Sequence, residues 1–274
     1  MSQRDFTALP LCASSSGQRV DTWLGDVRIV GVRQARAQAP AVLMVHGGGQ
    51  AGWAFETWVE HYAKRGWHAF AVSLRGHEAG RALPDEVYCR LHLDDYRDDV
   101  VAAAGLLPAG RLVLIGHSLG GIVCQRAAEQ LPLAGLVLLA SAGPPELGVR
   151  RTLLDPDTPV VRTAEEARRR YFHSADEAVI ERALARLVPE SPGALNASGG
   201  RTPVDRARIR CPVLVLGGAC DRTDVPRAMD LAALYGASAI ELADTGHNIM
   251  QERMSGFAAD CIHAWCEAQG IVRA

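Results

Sequence analysis

The feature that most constrains the fold is the alternation of short apolar runs with longer amphipathic segments. The runs, each four to eight residues rich in Val, Leu, Ile or Ala, are 41–46, 68–74, 111–115, 133–140, 213–216 and 239–242. Such runs are typical of strands buried on both faces of a parallel sheet. Helical periodicity marks the segments 53–65, 94–107, 119–130, 225–235 and 248–269. This order predicts an α/β fold, with a mostly parallel open sheet flanked by helices.

Two regions depart from this rhythm. Residues 1–35 have the pattern of extended hairpin material, in which the stretch 20–32 is interrupted by Gly25 and Gly31. Residues 145–207 are rich in charge, with helical stretches at 163–171 and 176–187 and a turn-rich piece at 191–203. We interpret 145–207 as a helical cap inserted between two strands. The predicted domain division is therefore a core of 1–144 and 208–274 with a cap of 145–207.

Composition and charge exclude several classes of protein. The 274 residues are 48% hydrophobic, which is enough to offset the ordering entropy of folding and excludes a disordered chain. A formal net charge of −2 provides no basic surface for nucleic acid or for an anionic membrane. The seven cysteines form no C-x-x-C pair, which disfavours a disulfide framework or a cysteine metal site. No apolar stretch approaches the roughly 18 residues of a membrane span, so a cytoplasmic protein is the default expectation.

A candidate nucleophile lies at a predicted strand-to-helix junction. Residues 116–120 read Gly-His-Ser-Leu-Gly, where one apolar run ends and the segment 119–130 begins. A turn this tight strains the serine backbone, and glycines two residues before and after the serine remove the clashes. The turn also lifts the serine oxygen clear of the sheet, at the positive end of a helix dipole. We predict Ser118 as the nucleophile, and expect His117 and His77 to serve structural packing.

A nucleophilic serine needs a base, and the base needs an acid to orient it. Asp221 follows the run 213–216, and His247 follows the run 239–242. Both come after the carboxyl ends of predicted strands, where open α/β sheets place their sites. We predict His247 as the base and Asp221 as the acid. Asp224, three residues further on, is the other candidate for the acid.

A glycine loop follows the first apolar run. Residues 46–49 read His-Gly-Gly-Gly, and a loop without side chains lets main-chain N–H groups approach a ligand closely. Such donors stabilise a developing oxyanion by roughly 3 kcal/mol each. We predict that the N–H groups of Gly48 and Leu119 form this oxyanion hole, although the glycines are also compatible with an ordinary turn. A nucleotide phosphate loop is disfavoured, because neither G-x-G-x-x-G nor G-K-[ST] is present there.

From about residue 41 to the C-terminus, these motifs resemble the α/β-hydrolase superfamily of serine hydrolases. Within it, the resemblance is greatest to bacterial esterases and to members like monoacylglycerol lipases and lysophospholipases. The strings that carry it lie at 46–49, 73–77, 94–100, 116–121 and 245–247. The resemblance implies a triad of Ser118, Asp221 and His247 and no metal or organic cofactor. The chain departs from the family at 78–80, where Glu-Ala-Gly stands in place of the common Gly-x-Ser.

The expected activity is hydrolysis of a carboxylic ester through an acyl-enzyme, and thioesters and lactones use the same apparatus. Two alternatives stay open: a non-hydrolytic enzyme such as a hydroxynitrile lyase, and a ligand-binding protein with a vestigial site. The expected partner is a small-molecule ester, and a homodimer also stays open. Candidate substrate-contacting residues are Gly49, Trp53, Tyr171, Phe172 and Ile249. Trp58 is expected in the core, because it stands at helical spacing with Tyr62.

Overall fold

The computed structural model describes residues 13–14, 17–108, 110–147 and 151–272, whose strands form one sheet. The strands are β1 (Ala13–Ser14), β2 (Gly17–Leu24), β3 (Val27–Arg33), β4 (Ala41–Val45), β5 (His68–Ser73), β6 (Leu112–His117), β7 (Gly135–Leu139), β8 (Val213–Gly218) and β9 (Ser238–Leu242). Their order across the sheet is β1-β2-β3-β5-β4-β6-β7-β8-β9. Pairing is parallel from β5 through β4 to β9, and antiparallel among β1, β2, β3 and β5. The predicted mostly parallel open sheet is confirmed.

The helices of the described residues cover both faces of this sheet. They are α1 (Glu56–Lys64), α2 (Asp85–Tyr88), α3 (Leu93–Ala104), α4 (Leu119–Ala128), α5 (Ala164–Tyr171), α6 (Glu177–Leu184), α7 (Pro192–Ser198), α8 (Ala228–Tyr235) and α9 (Ser255–Ala268). Alternate residues of a strand point to opposite faces. In β4, Val42 and Met44 accordingly belong to the core beneath α1 and α9, whereas Leu43 and Val45 belong to the core beneath α3 and α4. Both faces are apolar because both are covered, as the continuous apolar runs predict.

The N-terminal hairpin has the predicted form, with one correction. Gly25 lies in the turn between β2 and β3 with a φ of 61°, a conformation that favours glycine. Gly31, expected to interrupt the hairpin, lies inside β3 opposite Phe70 of β5. A Cβ at this position would overlap Ala69 O and the Phe70 ring, so glycine permits the close pairing of the two strands. The expectations for residues 1–12 and 15–16 lie outside the described residues.

Three helices of the insertion, α5, α6 and α7, lie between β7 and β8. The expectation that 191–203 is wholly turn-rich is wrong, because α7 occupies Pro192–Ser198. Ser191 caps this helix by accepting a hydrogen bond from Ala194 N, and proline suits the first helical position. Within the insertion, the backbones of Glu190 and Val160 pair in an antiparallel bridge. The division of the chain into core and cap stays a prediction.

The segment predicted as a helix over 248–269 begins later than expected. Asn248 N donates to Tyr171 O in the insertion, at 2.9 Å, and a short 3-10 turn follows at Ile249–Gln251. This contact holds the chain near residue 248 against the insertion, and α9 begins at Ser255. In the part of the chain that the structure describes, no helix has the length and apolar character to cross a membrane.

Candidate active site

Ser118 stands at a strained turn between β6 and α4. Its φ of 53° and ψ of −119° lie outside the regions that residues with a Cβ favour. Strain of this kind costs roughly 1–3 kcal/mol and persists only where the surroundings enforce it. Here Ser118 N donates to Leu139 O of β7 at 3.0 Å, and Ser118 O accepts from Gly121 N and Ala142 N at 2.9 and 3.0 Å. The neighbouring strand and the first helical turn therefore hold the serine in position.

The glycines around Ser118 allow close packing as well as the turn itself. A Cβ on Gly120 would overlap the carbonyl oxygens of His46 and Val45, and a Cβ on Gly121 would overlap the Ser141 side chain. A Cβ on Gly116 would lie 2.5 Å from Gly120 O. These positions bring the first turn of α4 against the glycine loop that follows β4. The sequence pattern predicted the role of the glycines in the turn but not their role in this close packing.

His247 and Asp221 form a close pair beyond the ends of β9 and β8. His247 Nδ1 lies 2.7 Å from Asp221 Oδ2, and Thr223 N donates to Asp221 Oδ1 at 2.8 Å. Burial by itself would raise the pKa of Asp221, but the charge and hydrogen bond of His247 lower it to about 2. Asp221 is thus a carboxylate at neutral pH, and it fixes the proton of His247 on Nδ1. His247 Nε2 has no hydrogen-bond partner among the described residues.

Asp224, the other candidate for the acid, has a different role in the structure. Its side chain is 61% exposed and pairs with Arg170 Nη2 at 3.0 Å. The structure therefore brings Asp221, and not Asp224, into contact with His247.

Ser118 and His247 line one cavity of about 110 Å³. The sequence-predicted residues Gly48, Gly49, Leu119 and Tyr171 line it as well. Three residues predicted to contact substrate lie elsewhere: Trp53 stacks under the Arg186 guanidinium, Phe172 packs in an apolar cluster of the insertion, and Ile249 is buried in the core beneath α1 and α9. Apolar character alone does not distinguish a pocket wall from a core.

The glycine loop presents main-chain donors to this cavity. Gly47 N donates to Gln50 Oε1 at 3.2 Å, and Gly49 N donates to Glu190 Oε2 at 2.9 Å. Gly48 N, between them, and Leu119 N, at the start of α4, have no acceptor within the described ranges. Unpaired N–H groups that line a cavity are free to bind a ligand oxygen.

His46 fastens the start of the glycine loop. Its Nε2 accepts from Leu74 N at 3.1 Å, so the ring proton lies on Nδ1 and is donated to Gly47 O at 2.8 Å. Burial, together with the charge of His77, lowers the pKa of His46 to about 3. His46 is therefore a neutral structural group. His117 is likewise buried, and burial holds its pKa well below the ordinary range.

A second histidine–carboxylate pair lies behind the loop, and the sequence analysis missed its carboxylate. Glu190 is 3% exposed, and its Oε2 lies 2.9 Å from both His77 Nε2 and Gly49 N. Its Oε1 accepts from the Tyr96 hydroxyl at 2.8 Å. Burial opposes its ionisation, but the His77 charge and these hydrogen bonds lower the pKa of Glu190 to about 2. Burial by itself would lower the pKa of His77, but Glu190 raises it.

No local signal could have identified this pair, because Glu190 and His77 are 113 residues apart in the chain. The structure also shows no group of three or more His, Cys, Asp or Glu side chains placed to hold a metal ion, as far as the described residues go.

The strained serine turn, the histidine–carboxylate pair and the order of the strands agree with a comparison against protein families. The model described as "Alpha/beta hydrolase family" matches residues 42–260. The chain belongs to this family. The matched range spans strands β4 to β9 and includes Ser118, Asp221 and His247. The family does not by itself specify a reaction.

Two curated relatives of this chain carry esterase names. "Probable esterase PIR7A" of Oryza sativa is 37% identical over 107 residues, which are 37% of this chain and 39% of the rice protein. "Pimeloyl-[acyl-carrier protein] methyl ester esterase" of Chromobacterium violaceum is 33% identical over 161 residues, 57% of each chain. The chain thus spans about two fifths to three fifths of the length of the relatives it matches.

Solved structures resemble this chain over most of its length. The methylesterase MES16 from Arabidopsis has a TM-score of 0.69 at 18% identity, covering 84% of this chain and all of that one. A proline iminopeptidase-related protein from Thermus thermophilus has a TM-score of 0.69 at 20% identity, covering 93% of this chain and 99% of that one. Because these identities are low, the likeness shows the fold alone.

Proposed function

We propose that this α/β hydrolase cleaves carboxylic esters, with Ser118 as nucleophile, His247 as base and Asp221 as the acid that orients it. The observation that carries the proposal is the 2.7 Å contact of His247 Nδ1 with Asp221, which leaves Nε2 without a protein partner in the cavity that Ser118 lines. A neutral imidazole held in this tautomer is the base that a serine nucleophile requires. The esterase names of the two curated relatives support the same class of reaction.

The reaction follows from the placement of these groups. His247 Nε2 takes the proton of the Ser118 hydroxyl as its oxygen attacks the ester carbonyl, and Asp221 stabilises the resulting imidazolium. The carbonyl oxygen becomes an oxyanion, to which Gly48 N–H and Leu119 N–H donate. The C–O bond to the alcohol then breaks, and the leaving alkoxide takes the proton from His247. Water repeats the sequence on the acyl-Ser118 ester, which releases the carboxylic acid and restores the enzyme.

The experiment is intact-mass analysis after treatment with a fluorophosphonate, which forms a covalent adduct with a base-activated serine. We expect one adduct on the wild-type protein and none on Ser118→Ala. Ser238→Ala is the matched control, because Ser238 is exposed on β9, and it should keep the adduct. An adduct that persists on Ser118→Ala would assign the reactive nucleophile to another residue, and no adduct on the wild type would favour a lyase or a binding protein. Either result would overturn the proposal.

A further inference from the structure

Three arginines of the insertion line the cavity that holds Ser118 and His247: Arg151, Arg162 and Arg170. The same three residues line a neighbouring cavity of about 590 Å³. They therefore stand where the catalytic cavity meets a wider space. Tyr171 connects them with the base, because its ring centroid lies 5.7 Å from that of His247 and it follows Arg170 directly in the chain.

The positive charge of this group is only partly balanced. Asp224 is the one carboxylate that contacts any of the three in the part of the chain that the structure describes. It pairs with Arg170 at 3.0 Å, and its backbone oxygen accepts from Arg151 Nη2 at 3.1 Å. Arg162 has no ion pair with a described residue. Glu190 also lines the cavity, but its carboxylate is already paired with His77.

Two donors of these arginines are buried without acceptors. Arg151 Nε and Arg170 Nε have no hydrogen-bond partner among the residues that the structure describes, although buried polar groups in folded proteins are nearly always paired. Burial and the neighbouring charges of Arg170 and Arg162 lower the pKa of Arg151. Concentrated positive charge with unused N–H groups is a favourable environment for an oxyanion, and the planar guanidinium fork matches a carboxylate in particular.

The lining of the same cavity also has an apolar part. It includes Val160, Val161, Leu187 and Leu195. Such a lining suits methylene groups, which gain from leaving water. The cavity thus joins a reactive serine, an apolar wall and a cluster of cations.

We propose that Arg151, Arg162 and Arg170 form a subsite for a carboxylate carried by the substrate, so that the preferred esters are half-esters of dicarboxylic acids. This inference rests on the proposed function, and it adds the substrate class. The scissile ester lies at Ser118, the chain of methylenes follows the apolar wall, and the free carboxylate binds the guanidinium groups. Arg162 supplies the charge that no carboxylate of the described residues pairs with.

The test compares two series of methyl esters. The half-esters are monomethyl esters of four- to eight-carbon dicarboxylic acids. The amide esters keep the methyl ester but have an amide in place of the free carboxylate, so they have the same length without the charge. At the best chain length we expect kcat/KM to be at least tenfold higher for the half-ester, a factor that one charge-assisted contact supplies. Arg162→Gln should abolish most of this preference by raising KM for the half-ester. Arg169→Gln is the matched control, because Arg169 is exposed on the same helix α5.

A second measurement separates this inference from the proposed function. Binding of adipate to the Ser118→Ala protein, followed by calorimetry, does not require turnover. We expect adipate to bind, and Arg162→Gln in the same background to weaken binding about tenfold or more. Equal use of half-esters and amide esters, with Ser118-dependent turnover of both, would overturn the subsite and leave the esterase intact. Tighter binding of an alkyl phosphate than of a carboxylate of equal length would assign the subsite to phosphate and overturn the proposal as well.

Discussion

The His247–Asp221 and His77–Glu190 pairs differ in what each ring nitrogen contacts. His247 pairs with Asp221 at 2.7 Å, and His77 pairs with Glu190 at 2.9 Å. Both nitrogens of His77 are occupied, since Nδ1 lies 3.1 Å from Arg75 O. His247 uses only Nδ1 within the protein and lines the cavity with Ser118. The pairs have similar chemistry but different access.

A histidine–carboxylate pair can act as a base only where one ring nitrogen is free to contact the substrate. Both ring nitrogens of His77 have protein partners, and Glu190 binds Gly49 N of the glycine loop. We infer that the His77–Glu190 pair positions the loop, whereas the His247–Asp221 pair moves the proton.

His247→Ala removes the proposed base, and kcat should fall by about 10⁴-fold or more because Ser118 loses its proton acceptor. The fold should persist, because the side chain lies beside a cavity. Steady-state kinetics on an activated ester and a circular dichroism spectrum check both expectations. A well-folded variant that keeps more than about a tenth of the wild-type kcat would show that another group is the base.

Asp221→Asn leaves the shape of the acid but removes its charge and favours the wrong tautomer of His247. We expect kcat/KM to fall by roughly 10³–10⁴-fold. Asp224→Asn is the matched comparison, and it should change kcat/KM for a neutral ester by less than about threefold, as for an exposed ion pair. The opposite ranking of the two variants would transfer the role of the acid to Asp224.

Glu190→Gln separates positioning from proton transfer. The variant keeps the size of the side chain but unpairs His77, so kcat should fall by roughly tenfold through a less precise loop, with KM nearly unchanged. The free energy of unfolding should fall by roughly 3 kcal/mol, since removing one partner of a buried pair is strongly destabilising. Denaturant unfolding and steady-state kinetics measure the two effects. A kcat loss as large as that of Asp221→Asn would contradict the division.

The pH dependence of unfolding sharpens the same comparison. The folded-state pKa of Glu190, about 2, is below its ordinary value of 4.5, so its stabilising contribution is lost as the pH falls from 4.5 towards 2. The pKa of His77 is raised above 6.5, so its contribution is lost as the pH rises through the folded-state value. The stability difference between wild type and Glu190→Gln should therefore be largest between about pH 4.5 and 6.5. A difference independent of pH would mean that Glu190 acts by packing alone.

Local sequence was sufficient to predict a feature that depends on one element of the chain. The turn at Ser118 needs glycines two residues away on either side, and Asp221 and His247 follow apolar runs that end in loops. Local sequence failed where the partner comes from elsewhere. Gly31 stays in its strand because β5 lies close beside it. The apolar side chain of Ile249 packs in the core and not in the wall of the pocket.

By itself, the sequence determined the α/β order of elements and the placement of Ser118 and His247 after strand ends, because hydrophobic periodicity and turn chemistry act over a few residues. The tertiary structure was needed to show which acid contacts His247 and which side chains line the cavity. It was also needed to show that Glu190 binds His77 and Gly49. Those contacts join residues as much as 141 positions apart. Their geometry depends on how the insertion packs against the sheet, and the residues next to each contact in the chain do not predict that packing.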